Sequence, residues 1–345
     1  MNTPWSDYLA RAGATLEDSG IRFDSPEAEV RAAASGTVVV PLVHLGVIRC
    51  AGDDSVGFLH NLLSNDVKKL GADGAQWSSF NTPKGRMLAS LLLWSDAGGL
   101  MIATSTEVQP MLLKKLSMYV LRSKVKLGDA GADTVLMGIS GNDVVAVLAR
   151  AGIVAPVAPM TQAVAGEVRC IRLNERNLVL ALPASAAPEL FDRLIASGAQ
   201  KAGTAAWQLA MIRAGLPLIT IATQEEFVAQ MLNFEVIGGV SFNKGCYPGQ
   251  EIVARTQYLG KLKKRMYRVH VNADISPAAG TDVFTPDFGE QSAGKLVNVV
   301  PAPDGGYEAL VVMQSSSAAT GEAHLGSLQG PRLAFLDLPY ALPDK

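Results

Sequence analysis

Residues 243–255 read Asn243-Lys244-Gly245-Cys246-Tyr247-Pro248-Gly249-Gln250-Glu251-Ile252-Val253-Ala254-Arg255, and they stand apart from everything around them. Two glycines and a proline bracket a lone cysteine. Pro248 and Gly249 sit where a helix begins, and the spacing predicts a helix over 250–258. A thiol just ahead of a helix N-terminus, two residues from Lys244, gains thiolate character. The alternative reading of Cys246 is a small buried hydrophobe in a tight turn.

Upstream of this stretch, residues 204–214 and 187–196 read as helices. Residues 168–181 read as a hairpin around Asn174-Glu175-Arg176-Asn177. Residues 143–151 and 108–120 are helix candidates, the latter with Met111, Leu112, Leu116 and Met118 as its apolar face. Residues 77–81 and 87–94 are strand-like and flank the turn Thr82-Pro83-Lys84-Gly85. Asp53 and Asp54 offer an N-cap to a helix carrying Phe58, Leu59, Leu62 and Leu63. Residues 37–40 and 43–48 are β-rich. The first 35 residues read as a helix and lead-in, tacked to the body by Trp5, Leu9 and Leu16. Downstream of Arg265, short β-rich segments alternate with turn clusters over some 80 residues, the pattern of a small β-barrel or sandwich. Strands and helices mix without strict alternation, so the fold class is α+β rather than doubly wound.

The composition narrows the function. The chain has 345 residues, a size for two or three domains, with 48 % hydrophobic and only 18 % charged residues. That balance excludes disorder for most of the length. Net charge is −2, so nucleic-acid binding would need a local basic patch. Three widely separated cysteines, Cys50, Cys170 and Cys246, include no CxxC pair and fit a reducing compartment. The N-terminal residues lack an apolar core, and no run approaches the ~20 residues of a membrane span, so a cytoplasmic protein is expected. No GxGxxG, GxxxxGK[ST] or HExxH occurs, so no NAD, FAD or ATP site is expected and no zincin helix. Gly138-Ile139-Ser140-Gly141 is one residue short of a nucleophile elbow. His44, His60, His270 and His324 show no metal-ligand spacing, and no metal site is expected.

The pattern Lys244-Gly245-Cys246-Tyr247-x-Gly249-Gln250-Glu251-x-x-x-Arg255 resembles the signature of the YgfZ family of folate-binding proteins, which are similar to the T-protein of glycine cleavage, an aminomethyltransferase. Residues 227–233 with 238–242, and residues 207–217 running into Gly215-Leu216-Pro217, resemble the family's approach to that signature. So do Gly52-Asp53-Asp54, Phe58-Leu59, Asn65-Asp66 and Lys84-Gly85-Arg86.

The resemblance implies three domains in a ring around tetrahydrofolate or a derivative, with a C-terminal β-barrel. The corresponding division is residues 1–35 as lead-in, 36–265 as a folate-binding body in two subdomains meeting near 135, and 266–345 as the barrel. It also implies a role in assembly or repair of iron–sulfur enzymes, reaching tRNA modification indirectly. The partners are then folate and transient iron–sulfur client or assembly proteins; direct tRNA contact is not expected. Cys246 is the implied reactive thiol, with Lys244 and Arg255 beside it. Trp207, Arg213, Asn65, Asp66 and Glu251 are the implied folate contacts.

Two positions depart from the family. A tryptophan near the first strand is replaced by Leu45, and the Glu of a Glu-Ala-Gly triplet by Arg213. Arginine carries donors only, so it cannot accept hydrogen bonds from a pterin; it can grip a glutamate tail or stack on a ring.

Read from pattern alone, Trp207 shares a helical stripe with Ala210, Met211 and Ala214, as a core residue does. Glu251 and Arg255 stand at i, i+4, as in a plain helix ion pair. Asn65 and Asp66 are ordinary helix-end residues, and Arg213 fits a solvated helix position. Arg255, Lys261, Lys263, Lys264, Arg265 and Arg268, with Tyr258 and Tyr267 between, form a basic run. It reads either as a phosphate- or polyglutamate-binding stripe or as a solvated helix end. Three activities stay open: a folate-dependent accessory protein centred on Cys246, an aminomethyltransferase, and a non-catalytic scaffold with a vestigial folate pocket.

Overall fold

The computed structural model describes residues 3–18, 20–258, 260 and 262–343. The chain divides into two compact units that interleave in sequence. The first comprises residues 1–58, 68–76 and 92–210, the second residues 59–67, 77–91 and 211–345.

In the first unit, a six-stranded sheet runs in the order Thr161–Ala165, Val168–Arg172, Asn177–Pro183, Thr134–Ser140, Val38–Pro41, Gln200–Lys201. All neighbours are antiparallel except the last pair, which is parallel. Side chains alternate across a strand, and Met137 and Ile139 point to one face. The helices Val144–Arg150 and Ala187–Ala196 cover that face with Val147, Leu148, Leu190, Phe191 and Leu194. Gly138 points the other way, where a Cβ would lie 2.3 Å from Cε3 of Trp207. The indole thus lies on the sheet where glycine leaves room for it. In the same unit, Leu45–Ala51 pairs with Gly99–Ser105 and with Lys126–Asp129.

The lead-in is more structured than a single helix. Thr3–Arg11 is followed by the hairpin strands Thr15–Glu17 and Gly20–Arg22 and by the helix Pro26–Ser35, N-capped by Ser25. Trp5 and Leu9 are buried against Phe191, as their pattern predicts. Leu16 is 39 % exposed, because its hairpin strand lies on the surface along its whole length. Likewise Met118, assigned to the apolar face of its helix, is 70 % exposed; it closes Gln109–Met118 beyond the last buried contact, Leu116.

In the second unit, six antiparallel strands run in the order His324–Leu325, Asp282–Phe284, Gly294–Pro301, Tyr307–Gln314, Lys264–Val271, Leu333–Leu336. Val269, Val271, Val283, Leu296, Ala309, Val311 and Met313 build its core. The sheet curls into a half-barrel and does not close, which corrects the expected barrel. Closure needs a continuous ladder between the two edge strands. Here one edge has only two residues, and a single isolated bridge, His324 to Arg332, links it to the approach of the other. Among the described residues, no helix is long and apolar enough to cross a membrane.

Candidate functional site

The site lies in the second unit and is built around the turn 61–66, which follows the short helix Ser55–His60. Ser64 Oγ donates to the Gly239 carbonyl at 2.7 Å and accepts from the Ser79 amide at 2.8 Å. Asn65 Nδ2 donates to the carbonyls of Trp77 and Gly238, both at 2.7 Å, and its Oδ1 accepts from the Asp66 amide at 2.8 Å. The turn is thereby stitched to the strand segment 77–81 on one side and to the approach to Cys246 on the other. The Asp66 carboxylate lies 3.0 Å from Nδ1 of His60, with both side chains largely buried.

Lys244 pins the cysteine loop onto this turn. Its ammonium donates to the carbonyls of His60, of Leu63 at 2.5 Å and of Asn65 at 3.2 Å. An ammonium has three donors; here they meet the carbonyl of the last helical residue, His60, and two carbonyls of the turn beyond it. The Tyr247 ring lies beneath the charge, 4.8 Å from Nζ to centroid, adding a cation–π contact. Burial pushes the Tyr247 phenol well above its ordinary range, so it stays neutral.

The far side of the loop is held by two glycines that meet. Gly249 has φ +80°, and a Cβ on it would lie 2.5 Å from the Thr82 carbonyl oxygen. Gly85 has φ +72°, and a Cβ on it would lie 2.9 Å from Cβ of Ile252. Both conformations favour glycine. Together they seat the start of the helix Gln250–Tyr258 on the turn of the hairpin Ala75–Asn81/Met87–Asp96. Gln230 Nε2, buried, donates to the Val253 carbonyl at 2.6 Å and fixes the same helix from behind.

Cys246 is exposed on this clamped loop, four residues ahead of the helix. Cys50 and Cys170 are fully buried in the first unit, and burial pushes both thiols up to about 12. Cys246 is therefore the exposed cysteine of the three. Glu251 and Arg255 are exposed on the following helix and make no ion pair with each other.

Other sequence candidates stand elsewhere. Trp207 is 3 % exposed over Gly138 in the first unit, but the rest of its expected stripe, Ala210, Met211 and Ala214, is only half-buried; Ala206, Leu209 and Ile212 are the residues of that helix buried with it. Arg213 closes the helix Thr204–Arg213, and its guanidinium grips Glu308 on the strand Tyr307–Gln314, with Nη2 2.5 Å from Oε1. The basic run is not one stripe. Arg265 is 6 % exposed and ion-paired with Glu235, because Lys264–Val271 is a strand and sends alternate residues inward. Lys261 lies outside the described residues.

A folate needs partners for its pterin edge, which carries both donors and acceptors. Asn65 and Arg213 have polar groups committed within the fold, and Asp66 stands against His60. The groups on offer are Ser79 Oγ and both amide atoms of Asn81, which are buried without hydrogen-bond partners. Two apart on one strand, they share a face, and the amide supplies a donor and an acceptor side by side. That donor set fits a pterin edge. Sequence reading missed Ser79 and Asn81, two polar side chains two apart at the end of a strand whose residues 78–81 are all buried, which only the structure reveals. It also missed His60, which carries no ligand spacing, and Glu308, an acid opening an apolar run. Among the described residues, no group of three His, Cys, Asp or Glu side chains stands close enough to hold a metal ion.

No protein-family model matches the chain. It is 29 % identical over 329 residues to the tRNA-modifying protein YgfZ of Yersinia pestis strain Pestoides F, covering 93 % of this chain and 99 % of that protein. To the tRNA-modifying protein YgfZ of Yersinia enterocolitica it is 28 % identical over 310 residues, covering 89 % and 93 %. The resemblance carried by residues 244–255 thus extends over most of the chain. Its fold matches the glycine cleavage system aminomethyltransferase T of Bartonella henselae with a TM-score of 0.80 at 18 % identity, covering 98 % and 97 % of the two chains.

Proposed function

We propose that this chain, similar in sequence to YgfZ proteins and in fold to the glycine-cleavage aminomethyltransferase, is a tetrahydrofolate-binding accessory protein for assembly or repair of iron–sulfur enzymes. Its effect on tRNA modification is then indirect, through such an enzyme, in the cytoplasm. Cys246 is the reacting group. One observation carries this reading: the Lys244 ammonium, bound to three carbonyls, presents the exposed Cys246 while the other two cysteines are buried. One cysteine cannot hold a cluster that takes four protein ligands, so any contact with iron is shared with a client.

When bound, folate supplies a one-carbon carrier or a conformational lock. Ser79 and Asn81 would meet its pterin edge, and Lys244 holds the thiol loop in place. Aminomethyl transfer is the alternative; against it, Arg213, a donor-only side chain ion-paired to Glu308, stands where the resembled family has a glutamate acceptor.

The test has two parts. Anaerobic calorimetry with tetrahydrofolate is expected to show one saturable site that Asn81→Ala weakens at least about tenfold, the loss of two polar contacts to the ligand. Restoring iron–sulfur enzyme activity in a deletion strain is expected to require Cys246; a Cys246→Ala protein that restores it fully sinks the proposal.

A further inference from the structure

Residues 108–128 carry five cations, Lys114, Lys115, Arg122, Lys124 and Lys126, and no acidic residue, in a chain whose net charge is −2. The helix Gln109–Met118 anchors the segment to the first unit through the buried Leu112 and Leu116, and the edge strand Lys126–Asp129 follows it. Between them the chain turns at Leu121, whose φ is +41°. A bulky apolar residue rarely takes that conformation. Leu121 takes it and is 88 % exposed, with Met118 and Tyr119 exposed beside it. Neither burial nor backbone preference accounts for a leucine at this position. Tyr119 and Leu121, with Asp54, Arg122 and Ser123, line a shallow open cleft.

The turn that shapes this cleft is fixed by the fold. The Asp54 carboxylate accepts from the Lys124 amide at 2.7 Å, and the Ser123 amide donates to the Val120 carbonyl at 2.7 Å. Gly52, at φ +115°, lets the Lys124 carbonyl pass where a Cβ would lie 2.1 Å from its oxygen. A surface fixed before binding loses little entropy to a partner. Its charge is largely uncompensated. Asp54 is spent on the turn, and Asp53 lies 3.9 Å from Lys124 Nζ. Among the described residues, the exposed Lys114, Lys115, Arg122 and Lys126 form no ion pair. An aliphatic knob ringed by cations fits a protein segment that carries an apolar side chain between carboxylates. RNA would take the cations and stack on Tyr119, but would leave Met118 and Leu121 in water. A second copy of this chain, docked about a two-fold axis, would set like charges face to face. We propose that this cleft docks an acidic protein partner, which seats an apolar side chain against Leu121 and Tyr119 and its carboxylates on Lys114, Lys115, Arg122 and Lys126.

This docking surface depends neither on folate nor on Cys246, so it stands or falls by itself. The probe is a fluorescein-labelled peptide with leucine and phenylalanine flanked by glutamates, titrated with the full chain by fluorescence anisotropy. One saturable site is expected, with affinity falling several-fold as NaCl rises from about 0.05 to 0.5 M. Arg122→Glu and Leu121→Gly should each weaken it at least about tenfold, the cost of losing an interface anchor. Glycine carries no steric penalty at positive φ, so the thermal midpoint of Leu121→Gly should stay level or rise while its binding falls. A leucine kept for packing would instead lower the midpoint and leave binding unchanged, and that result overturns the proposal. A peptide with serine for its apolar residues should bind at least about tenfold more weakly than its parent, since the knob then has nothing to meet. Failure of the parent peptide to saturate, or equal binding by wild type and Arg122→Glu, also overturns the proposal. So does a uridine oligonucleotide that binds more tightly than the peptide and is lost in Arg122→Glu, which would assign the cleft to RNA.

Discussion

Arg213 and Glu308, 95 residues apart, form a two-pronged ion pair: Nε lies 3.1 and 3.2 Å from the two carboxylate oxygens and Nη2 lies 2.5 Å from Oε1. The Glu308 side chain is only 7 % exposed, and the guanidinium is its charged partner. Arg213→Glu, which restores the residue type of the resembled family, sets two carboxylates face to face. It should cost about 2 kcal/mol, less than a fully buried pair because Arg213 is 38 % exposed. The exchange Arg213→Glu with Glu308→Arg should recover part of the loss. Urea unfolding of the four proteins gives the coupling, and additive losses would show that the pair is not energetically linked.

Lys244 contributes to stability independently of any reaction. Lys244→Met keeps the aliphatic stem but leaves the carbonyls of His60, Leu63 and Asn65 without their charged donor. A loss of about 2 kcal/mol is expected, with faster native-state proteolysis within residues 243–249. Lys244→Arg should not rescue it, because a planar fork cannot converge on three carbonyls as an ammonium does. Unchanged proteolysis of Lys244→Met would show that the loop is held by Gly249 and Tyr247 alone.

Gly138 and Trp207 should be strongly non-additive. Gly138→Ala drives a methyl to within 2.3 Å of the indole and should cost about 2 kcal/mol through overpacking. Trp207→Leu makes room for the methyl, so the double variant should be more stable than the sum of the single losses. Thermal unfolding of the three variants is the check, and strict additivity would contradict the close approach.

His44 gives the first unit an acid sensitivity. Burial pushes its imidazole from an ordinary 6.5 down to about 4. Below 6.5 the unfolded chain takes up a proton that the folded chain refuses until about 4. This contribution to stability is therefore complete above 6.5 and is lost as pH falls towards 4, by up to about 3 kcal/mol. Denaturant midpoints at pH 7.5 and 4.5 should differ less in His44→Phe than in wild type. An equal difference in both would assign the acid lability to other groups.

What the sequence by itself determined was local or periodic. The helix Gln250–Tyr258 follows from Pro248 and Gly249, and the hairpin Val168–Arg172/Asn177–Pro183 from its turn. The core positions of Cys50 and Cys170 follow from their apolar strands. The motif at 244–255 was legible because the residues of one loop and one helix turn are neighbours in the chain. Tertiary structure alone decided which distant groups meet. Whether Arg213 faces solvent, a ligand or Glu308 depends on a strand 95 residues on. Whether His60 is a surface residue or lies beside Gly245 depends on Lys244 crossing from a distant segment to the end of its helix. The open half-barrel depends on a two-residue edge strand, which no periodicity reports. Local steric preference and apolar periodicity act within a few residues and can be read along the chain. Ion pairs, orphaned amides and edge closure are set by through-space distance, which the chain acquires only on packing.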